Sequence, residues 1–257
     1  MRKANKGWPW VGASVCAALL SVSGGVQAAT AHVAVAANFT DAAKELAQVF
    51  AEQTEHEVML SFGATGQFYT QIANDAPFEV FLAADNIRPQ RAVDEGLGVD
   101  GSVFTYATGQ LVLYSATDDI DLDESYLQSA AFSKIAMANP DTAPYGVAAV
   151  ETLEHLDLYD ALKDKVIQGQ NIGQTFQFVE TGNAELGFVA MGQIAANNKG
   201  SRWVVPADFY TPIEQDAVLL EKGKENPAAT EFLEFLQSAP ALAIIKSYGY
   251  AVTETQE

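Results

Sequence analysis

His32-Val33-Ala34-Val35-Ala36-Ala37-Asn38-Phe39-Thr40 is an apolar, strand-like run that breaks into a short turn and then becomes a helical pattern. The same change recurs at Leu60-Ser61-Phe62-Gly63-Ala64-Thr65-Gly66-Gln67 and at Ala138-Asn139-Pro140-Asp141-Thr142-Ala143-Pro144-Tyr145-Gly146. The first turn of a helix leaves main-chain N–H groups unpaired and carries roughly half a positive charge. Several such ends aimed at one point can hold an oxyanion without any Lys or Arg.

Strands and helices alternate along the rest of the chain. The predicted strands are 32–36, 58–62, 79–83, 109–115, 134–138, 186–190, 203–206 and 213–220. The predicted helices are 39–53, 67–74, 86–95, 145–156, 173–181 and 191–196, with two closing helices around 227–237 and 240–248. This alternation predicts an α/β fold with mixed, mostly parallel sheets flanked by helices.

The pattern favours two lobes of this one type. No Pro/Gly/Ser-rich linker divides the chain, so we expect it to pass between the lobes within strands, near 104–110 and 210–216. Such crossings would act as hinges, with a ligand in the cleft between the lobes. The expected division is a leader over 1–28, one lobe over 29–108 and 214–257, and a second lobe over 109–213.

The amino terminus has the pattern of an export signal. The first six residues carry three basic side chains and no acid, residues 8–22 are mostly apolar, and small residues precede Ala29. We therefore expect a periplasmic protein, cleaved near Ala28 or Ala29. The apolar run is shorter than the roughly 20 residues of a membrane span. Cys16, the single cysteine, lies inside the leader, and its acylation in a lipoprotein is the disfavoured alternative.

The chain is strongly acidic, with 33 acidic and 14 basic residues and a formal net charge of −19. This balance argues against nucleic acid or an anionic membrane surface as a partner, because both are bound through basic patches. An anionic ligand would have to be recognised by short-range N–H and O–H donors. The acidity itself is explained by the solubility that an exported protein needs.

Sequence signals of catalysis are missing. The histidines His32, His56 and His155 are scattered, and no cysteine follows Cys16, so a His/Cys metal site is not expected. The nucleophile elbow, the P-loop and the dinucleotide-binding glycine motif are absent. A carboxylate pair for glycoside hydrolysis stays open among the acids, although none stands out. The sequence predicts a binding protein and not an enzyme.

Six segments resemble, in order and spacing, the periplasmic molybdate-binding proteins of ABC importers. They are Ala36–Thr40, Ser61–Gly66, Ala76–Asp85, Asn139–Pro140 with Ala143–Gly146, Gly187–Ala190 and Lys246–Tyr250. None is specific by itself, but together they span essentially the whole chain after the leader. The resemblance implies the type II periplasmic binding protein fold, in which the ligand lies between two α/β lobes.

The resemblance also implies a function and a ligand shell. Such a protein closes on molybdate or tungstate as a monomer and delivers it to the membrane permease of an ABC transporter. The shell carried over to this chain comprises Ala37 and Ile172 through their N–H groups, Asn38 through its main or side chain, Thr65 through its hydroxyl and N–H, and Tyr145. No cofactor and no metal cation are implied, because the molybdenum is bound as the oxyanion.

The chemistry of the donors separates the candidate ligands. Molybdate, tungstate and sulfate carry no proton near neutral pH, so a shell made of donors suits them. Phosphate keeps a proton that needs an acceptor, and Asp141 is the one acid within the candidate turns, while Asp85 can cap the following helix. An organic acid or a phosphorylated metabolite usually requires an arginine, and Arg88, Arg91 and Arg202 lie outside the turns. Sulfate, phosphate and these organic ligands stay open as alternatives.

Overall fold

The computed structural model describes Met1 and residues 28–197 and 199–252. In these ranges the chain forms two five-stranded sheets with helices packed on both faces of each. The predicted cleavable signal, including Cys16, falls almost entirely outside the described residues. Among the helices of the described ranges, none combines the length and the apolar character that crossing a membrane requires.

The strands and helices follow the predicted alternation. The strands are β1 (Thr30–Ala36), β2 (Glu57–Gly63), β3 (Val80–Leu82), β4 (Phe104–Gly109), β5 (Leu111–Ser115), β6 (Ile135–Ala138), β7 (Val166–Gly169), β8 (Leu186–Ala190), β9 (Ser201–Val204) and β10 (Ile213–Leu219). The helices are α1 (Thr40–Gln53), α2 (Thr65–Ala73), α3 (Ile87–Asp94), α4 (Glu124–Ser129), α5 (Pro144–His155), α6 (Tyr159–Leu162), α7 (Ile172–Glu180), α8 (Met191–Ile194), α9 (Pro227–Leu236) and α10 (Ala239–Ser247).

The two sheets are mixed and have related topologies. Their strand orders are β2-β1-β3-β10-β4 and β7-β6-β8-β5-β9. The central strands β1 and β6 each pair in parallel with two neighbours, whereas β10 and β5 each pair antiparallel with two neighbours. The parallel pairs therefore do not outnumber the antiparallel ones, because β10 and β5 each run against the other strands of their sheet.

The alternation of side chains along the strands distributes the core over four layers. Val33 and Val35 face α1, α9 and α10, whereas Ala34 between them faces α2 and α3. In the second sheet, Leu111 and Leu113 pack toward α5, and Val112 packs toward α7 and α8. Period-two alternation with both faces apolar is what a strand covered by helices on each side requires.

The chain leaves the first sheet at a single residue. The sequence predicted one strand over 109–115, but β4 ends at Gly109 in the first sheet and β5 begins at Leu111 in the second. The continuous apolar pattern hides this change, because strands of both sheets are buried. The chain returns to the first sheet through residues 205–212, which lead into β10.

Candidate functional site

Four helix starts meet between the two sheets. The parallel strands β1 and β2 lead into the 3-10 turn Ala37–Phe39 and into α2, and the parallel strands β6 and β7 lead to α5 and α7. The carboxyl ends of parallel strands are where α/β sheets bind their ligands. Here two such ends, one from each sheet, face each other.

A small cavity of about 10 Å³ lies at this meeting point. It is lined by Ala36, Ala37, Asn38, Gly63, Ala64, Thr65, Ala84, Ala143, Pro144, Tyr145 and Ile172. The fold thus brings together all five residues expected in the ligand shell, and none of the lining residues is charged.

Main-chain N–H groups supply most of the potential donors. Thr65 and Ile172 are the first residues of α2 and α7, and Tyr145 is the second residue of α5, after Pro144. A helix offers no acceptor of its own to N–H groups at these positions. In the described residues, the main-chain hydrogen bonds of turns and caps include none donated by these three. The helix dipoles add a favourable potential for an anion.

Thr65 adds a hydroxyl whose proton is available. Its Oγ1 accepts the main-chain N–H of Ala84 (3.0 Å), and the side chain is 1% exposed. A hydroxyl that already accepts one hydrogen bond can still donate its own proton. The contact with Ala84 therefore fixes the Thr65 oxygen at the cavity wall and leaves its proton for a ligand.

The side-chain amide of Asn38 makes its hydrogen bonds inside the protein. Its Nδ2 donates to Gln215 Oε1 (2.7 Å) and to the Tyr250 hydroxyl (3.2 Å), and that hydroxyl donates to Asn38 O (2.8 Å). An amide nitrogen carries two hydrogens, and both are used here. The sequence left open whether Asn38 donates through its main or its side chain. In the structure the hydrogens of the side-chain amide are therefore not available to a ligand.

Tyr145 contributes both to the cavity wall and to the surroundings of Gly109. Tyr145 lines the cavity, and its hydroxyl lies beside Gly109, where an added Cβ would be 2.1 Å from that oxygen. Gly109 does not line the cavity. Burial, together with the neighbouring Tyr250, Tyr106 and Tyr210, raises the pKa of Tyr145 well above its usual value, so the hydroxyl stays protonated. It makes no hydrogen bond of ordinary geometry within the described residues, although the nearby Gln215 side chain opposes the rise of its pKa.

The Ile172 end of the site is held by a side-chain cap. Asn171 Oδ1 accepts the N–H of Gln174 (2.9 Å), as an N-cap residue does. The Gln193 side chain donates to Ile172 O (3.0 Å). A Cβ added at Gly173 would lie 3.5 Å from the Ala37 Cβ, so the start of α7 adjoins the 3-10 turn after β1. Two independent contacts thereby fix the direction of the Ile172 N–H.

The two sides of the cavity touch each other at its edge. The N–H of Gly66, in α2, donates to Thr142 O (2.8 Å), just before α5. A Cβ at Gly66 would lie 3.0 Å from Thr142 Cα, so a side chain there would press on the main chain opposite. The two halves are consequently in main-chain contact beside the cavity.

Arg88 lies near the site, which sequence reasoning missed. Its guanidinium pairs with Asp85 and lies 3.4 Å from Asp141 O across the cleft. Asp85 also accepts the Arg88 N–H (2.9 Å), in the capping role expected from the sequence. The i,i+3 spacing of Asp85 and Arg88 was the available signal. Because the pair is neutral overall, it adds no net positive charge to the cavity.

The described residues hold no group of three or more His, Cys, Asp or Glu side chains placed to bind a metal ion. Residues outside the expected ligand shell complete the cavity wall, among them Gly63–Ala64 before α2 and Ala84 after β3. Small residues at these points let the main chain approach a ligand closely. Their spacing from the strand ends was visible, but which of them face the cleft depends on the fold.

Comparison with known proteins extends these observations. The model of the bacterial extracellular solute-binding protein family matches residues 31–251. The molybdate-binding protein ModA of Azotobacter vinelandii is 52% identical over 230 residues, which cover 88% of this chain and 91% of the relative. ModA of Rhodobacter capsulatus is 48% identical over 243 residues, which cover 95% and 96%. The solved structure of an Azotobacter vinelandii periplasmic molybdate-binding protein matches with a TM-score of 0.84 at 39% identity, covering 87% of this chain and 100% of that one.

Two α/β units around an uncharged cavity of helix starts define a two-lobed ligand-binding protein of the type II periplasmic fold. The predicted fold class is confirmed. The chain belongs to the bacterial extracellular solute-binding protein family.

Proposed function

We propose that this protein captures molybdate, and tungstate as well, in the periplasm and delivers it to the permease of an ABC transporter. The observation that carries the proposal is the cavity itself, in which Ala37, Asn38, Thr65, Tyr145 and Ile172 converge from separate helix starts. The names of the relatives that are about half identical to this chain support the same ligand.

The proposed shell consists of neutral donors. The N–H groups of the five residues and the Thr65 hydroxyl would point at the oxygens of the dianion, and low local dielectric would strengthen each bond. Long-range attraction cannot assist, because the chain has a formal net charge of −19. Affinity therefore depends on the number and direction of short-range donors.

The lining residues favour a fully deprotonated anion. They include no carboxylate to accept a proton from phosphate, and Asp141 lies exposed outside the cavity wall. Larger organic ligands are disfavoured by the small size of the cavity, about 10 Å³. Sulfate shares the charge of molybdate and differs in size, so the spacing of the donors would decide between them.

Lobe closure would complete the shell and exclude water. We assign residues 29–108 and 214–257 to one lobe and 109–213 to the other, with the crossings at Gln110 and at 205–212 as hinges. The permease would recognise the closed arrangement. We also propose that the protein is exported with cleavage near Ala28 or Ala29, that it is a monomer and that it has no catalytic activity.

Isothermal titration of the dialysed, leader-free protein with molybdate, tungstate, sulfate and phosphate tests the function. We expect tight one-to-one binding of the first two and much weaker binding of the others. Equal binding of sulfate and molybdate would make this a general oxyanion receptor. Failure of both metal oxyanions to bind would refute the proposed ligand.

A further inference from the structure

A buried network of side-chain hydrogen bonds lies directly behind the candidate site. At its centre is Gln215, a fully buried residue of β10. Its Oε1 accepts from Asn38 Nδ2 (2.7 Å) and lies 3.3 Å from the Tyr106 hydroxyl, which also donates to Ala83 O (2.9 Å). Of these residues, Asn38 alone lines the cavity. Gln215 thus contacts the proposed ligand shell through Asn38 without reaching the ligand space.

Two polar atoms next to this network lack partners. Gln215 Nε2 and the Tyr145 hydroxyl are both buried and make no hydrogen bond of ordinary geometry among the described residues, although the Gln215 side chain lies close enough to the hydroxyl to lower the pKa of Tyr145 in part. Both adjoin Gly109, since a Cβ added there would lie 2.9 Å from the nitrogen and 2.1 Å from the oxygen. Buried polar groups are nearly always paired in folded proteins. Two neighbouring unpaired groups, one a donor and the other able to accept, therefore indicate a hydrogen bond that a small movement would complete.

The two unpaired atoms belong to opposite sides of the crossing. Gln215 lies in the first sheet, whereas Tyr145 is the second residue of α5 and packs in the core of the second sheet. Gly109 is the last residue of β4 before the chain changes sheet. A hydrogen bond between Gln215 and Tyr145 would consequently span the hinge.

We propose that Gln215 is a positioning residue that couples the oxyanion site to the hinge. Its Oε1 holds Asn38 so that the Asn38 N–H faces the cavity, and its Nε2 donates to the Tyr145 hydroxyl when the lobes close on the ligand. One amide can do both, because the acceptor and the donor are separate atoms. This inference rests on the proposed oxyanion function.

The test compares three single variants and one double variant by titration with molybdate and tungstate. Gln215→Met keeps the chain length of the side chain and removes both polar groups without adding a charge. We expect its dissociation constants to rise about tenfold to a hundredfold, and those of Tyr145→Phe about threefold to tenfold. The double variant should bind no more weakly than Gln215→Met, because the Tyr145 hydroxyl then has lost its partner.

Thr105→Val is the matched control. Thr105 Oγ1 donates to Asp216 Oδ1 (2.6 Å) in the same pair of strands, so this variant also loses one side-chain hydrogen bond near β10. It touches neither Asn38 nor Tyr145. We expect a lower melting temperature with unchanged affinity.

Binding of Gln215→Met within about twofold of wild type, with a melting temperature lowered as in Thr105→Val, would overturn the positioning role. Additive losses in the double variant would overturn the link to the hinge. If Gln215→Met does not fold, the test rests on Tyr145→Phe, because this variant leaves the hydrogen bonds of Gln215 Oε1 intact. Unchanged oxyanion affinity in Tyr145→Phe would then refute the coupling. Failure of the wild type to bind either oxyanion refutes the proposed function first, and this inference with it.

Discussion

Single residues at the site combine a structural contact with a free donor. Thr65 accepts from Ala84 and keeps its proton, and Asn38 uses both amide hydrogens internally and keeps its main-chain N–H. The sequence identified both residues from turn patterns and family resemblance. The sequence could not tell which atoms of Asn38 are free, because the partners of its side chain, Gln215 and Tyr250, lie 177 and 212 positions away along the chain.

Replacing Thr65 by valine tests the hydroxyl donor. The variant keeps the shape of the side chain, so we expect oxyanion affinity to fall by about 1 to 3 kcal/mol with one donor missing from a charged ligand. Titration calorimetry measures the loss. The control is Thr152→Val in α5, a fully buried threonine whose hydroxyl donates to Ala148 O (2.7 Å) outside the cavity. Equal losses in both variants would contradict a direct role for Thr65.

The buried tyrosines around the site allow a prediction of how affinity and stability depend on pH. Burial above all raises the pKa values of Tyr106, Tyr145 and Tyr250 above their usual value. A phenol with a raised pKa in the folded state contributes stability that is complete below its unfolded pKa of about 10 and is lost as the pH rises further. We expect affinity to be level between about pH 6 and pH 9 and the melting temperature to fall above about pH 10. A drop in affinity near neutral pH would instead indicate a titrating histidine or carboxyl group at the site.

At the scale of elements, the site is a set of helix starts placed by strand ends. The sequence predicted these helices within one or two residues at their N-terminal ends, because Pro144, Asn171 and small residues mark where a helix can begin. It missed β7, although this strand is what brings α7 to the cavity. Val166–Gly169 is short and only partly buried, so its pattern gave little signal.

Asn171→Ala tests whether a capped helix start is needed. Without its side-chain acceptor, the first turn of α7 should loosen, which lowers stability by about 1 kcal/mol and weakens oxyanion binding through a misdirected Ile172 N–H. Ser238→Ala removes the corresponding cap of α10, where Ser238 Oγ accepts from Ala241 N (3.4 Å) away from the cavity. The melting temperature should fall in both variants, whereas affinity should change in Asn171→Ala alone. Unchanged affinity in Asn171→Ala would show that α7 does not contribute a donor.

At the scale of the whole molecule, binding and closure depend on how the two halves meet. The Gly66 N–H donates to Thr142 O at the cavity edge, and there is little space for a side chain between them. This contact is between main chains, so side-chain patterns in the sequence do not reveal it. A methyl group at Gly66 would therefore act mainly on the contact between the two halves, because on its own side it meets only the flexible end of the Arg88 side chain, at 3.1 Å.

We therefore expect Gly66→Ala to lower the oxyanion affinity without lowering the thermal stability. Alanine favours the helical conformation of α2, so the ligand-free melting temperature should stay level or rise. The added Cβ would lie 3.0 Å from Thr142 Cα, so the lobes should close less completely and oxyanion affinity should fall about tenfold. Calorimetric titration together with thermal unfolding measures both quantities. Wild-type affinity in this variant would mean that the lobes bind the ligand without this contact.

The sequence by itself determined the α/β class, the helix starts and the family resemblance that named the five residues now found around one cavity. These are local properties, because apolar periodicity, capping residues and turns act over a few positions along the chain. The tertiary structure decided the change of sheet at Gln110, the engagement of Asn38 by Gln215, and the placement of the Tyr145 hydroxyl beside Gly109. Each of these joins residues from distant parts of the chain, and packing of the two sheets, rather than any local pattern, brings them together.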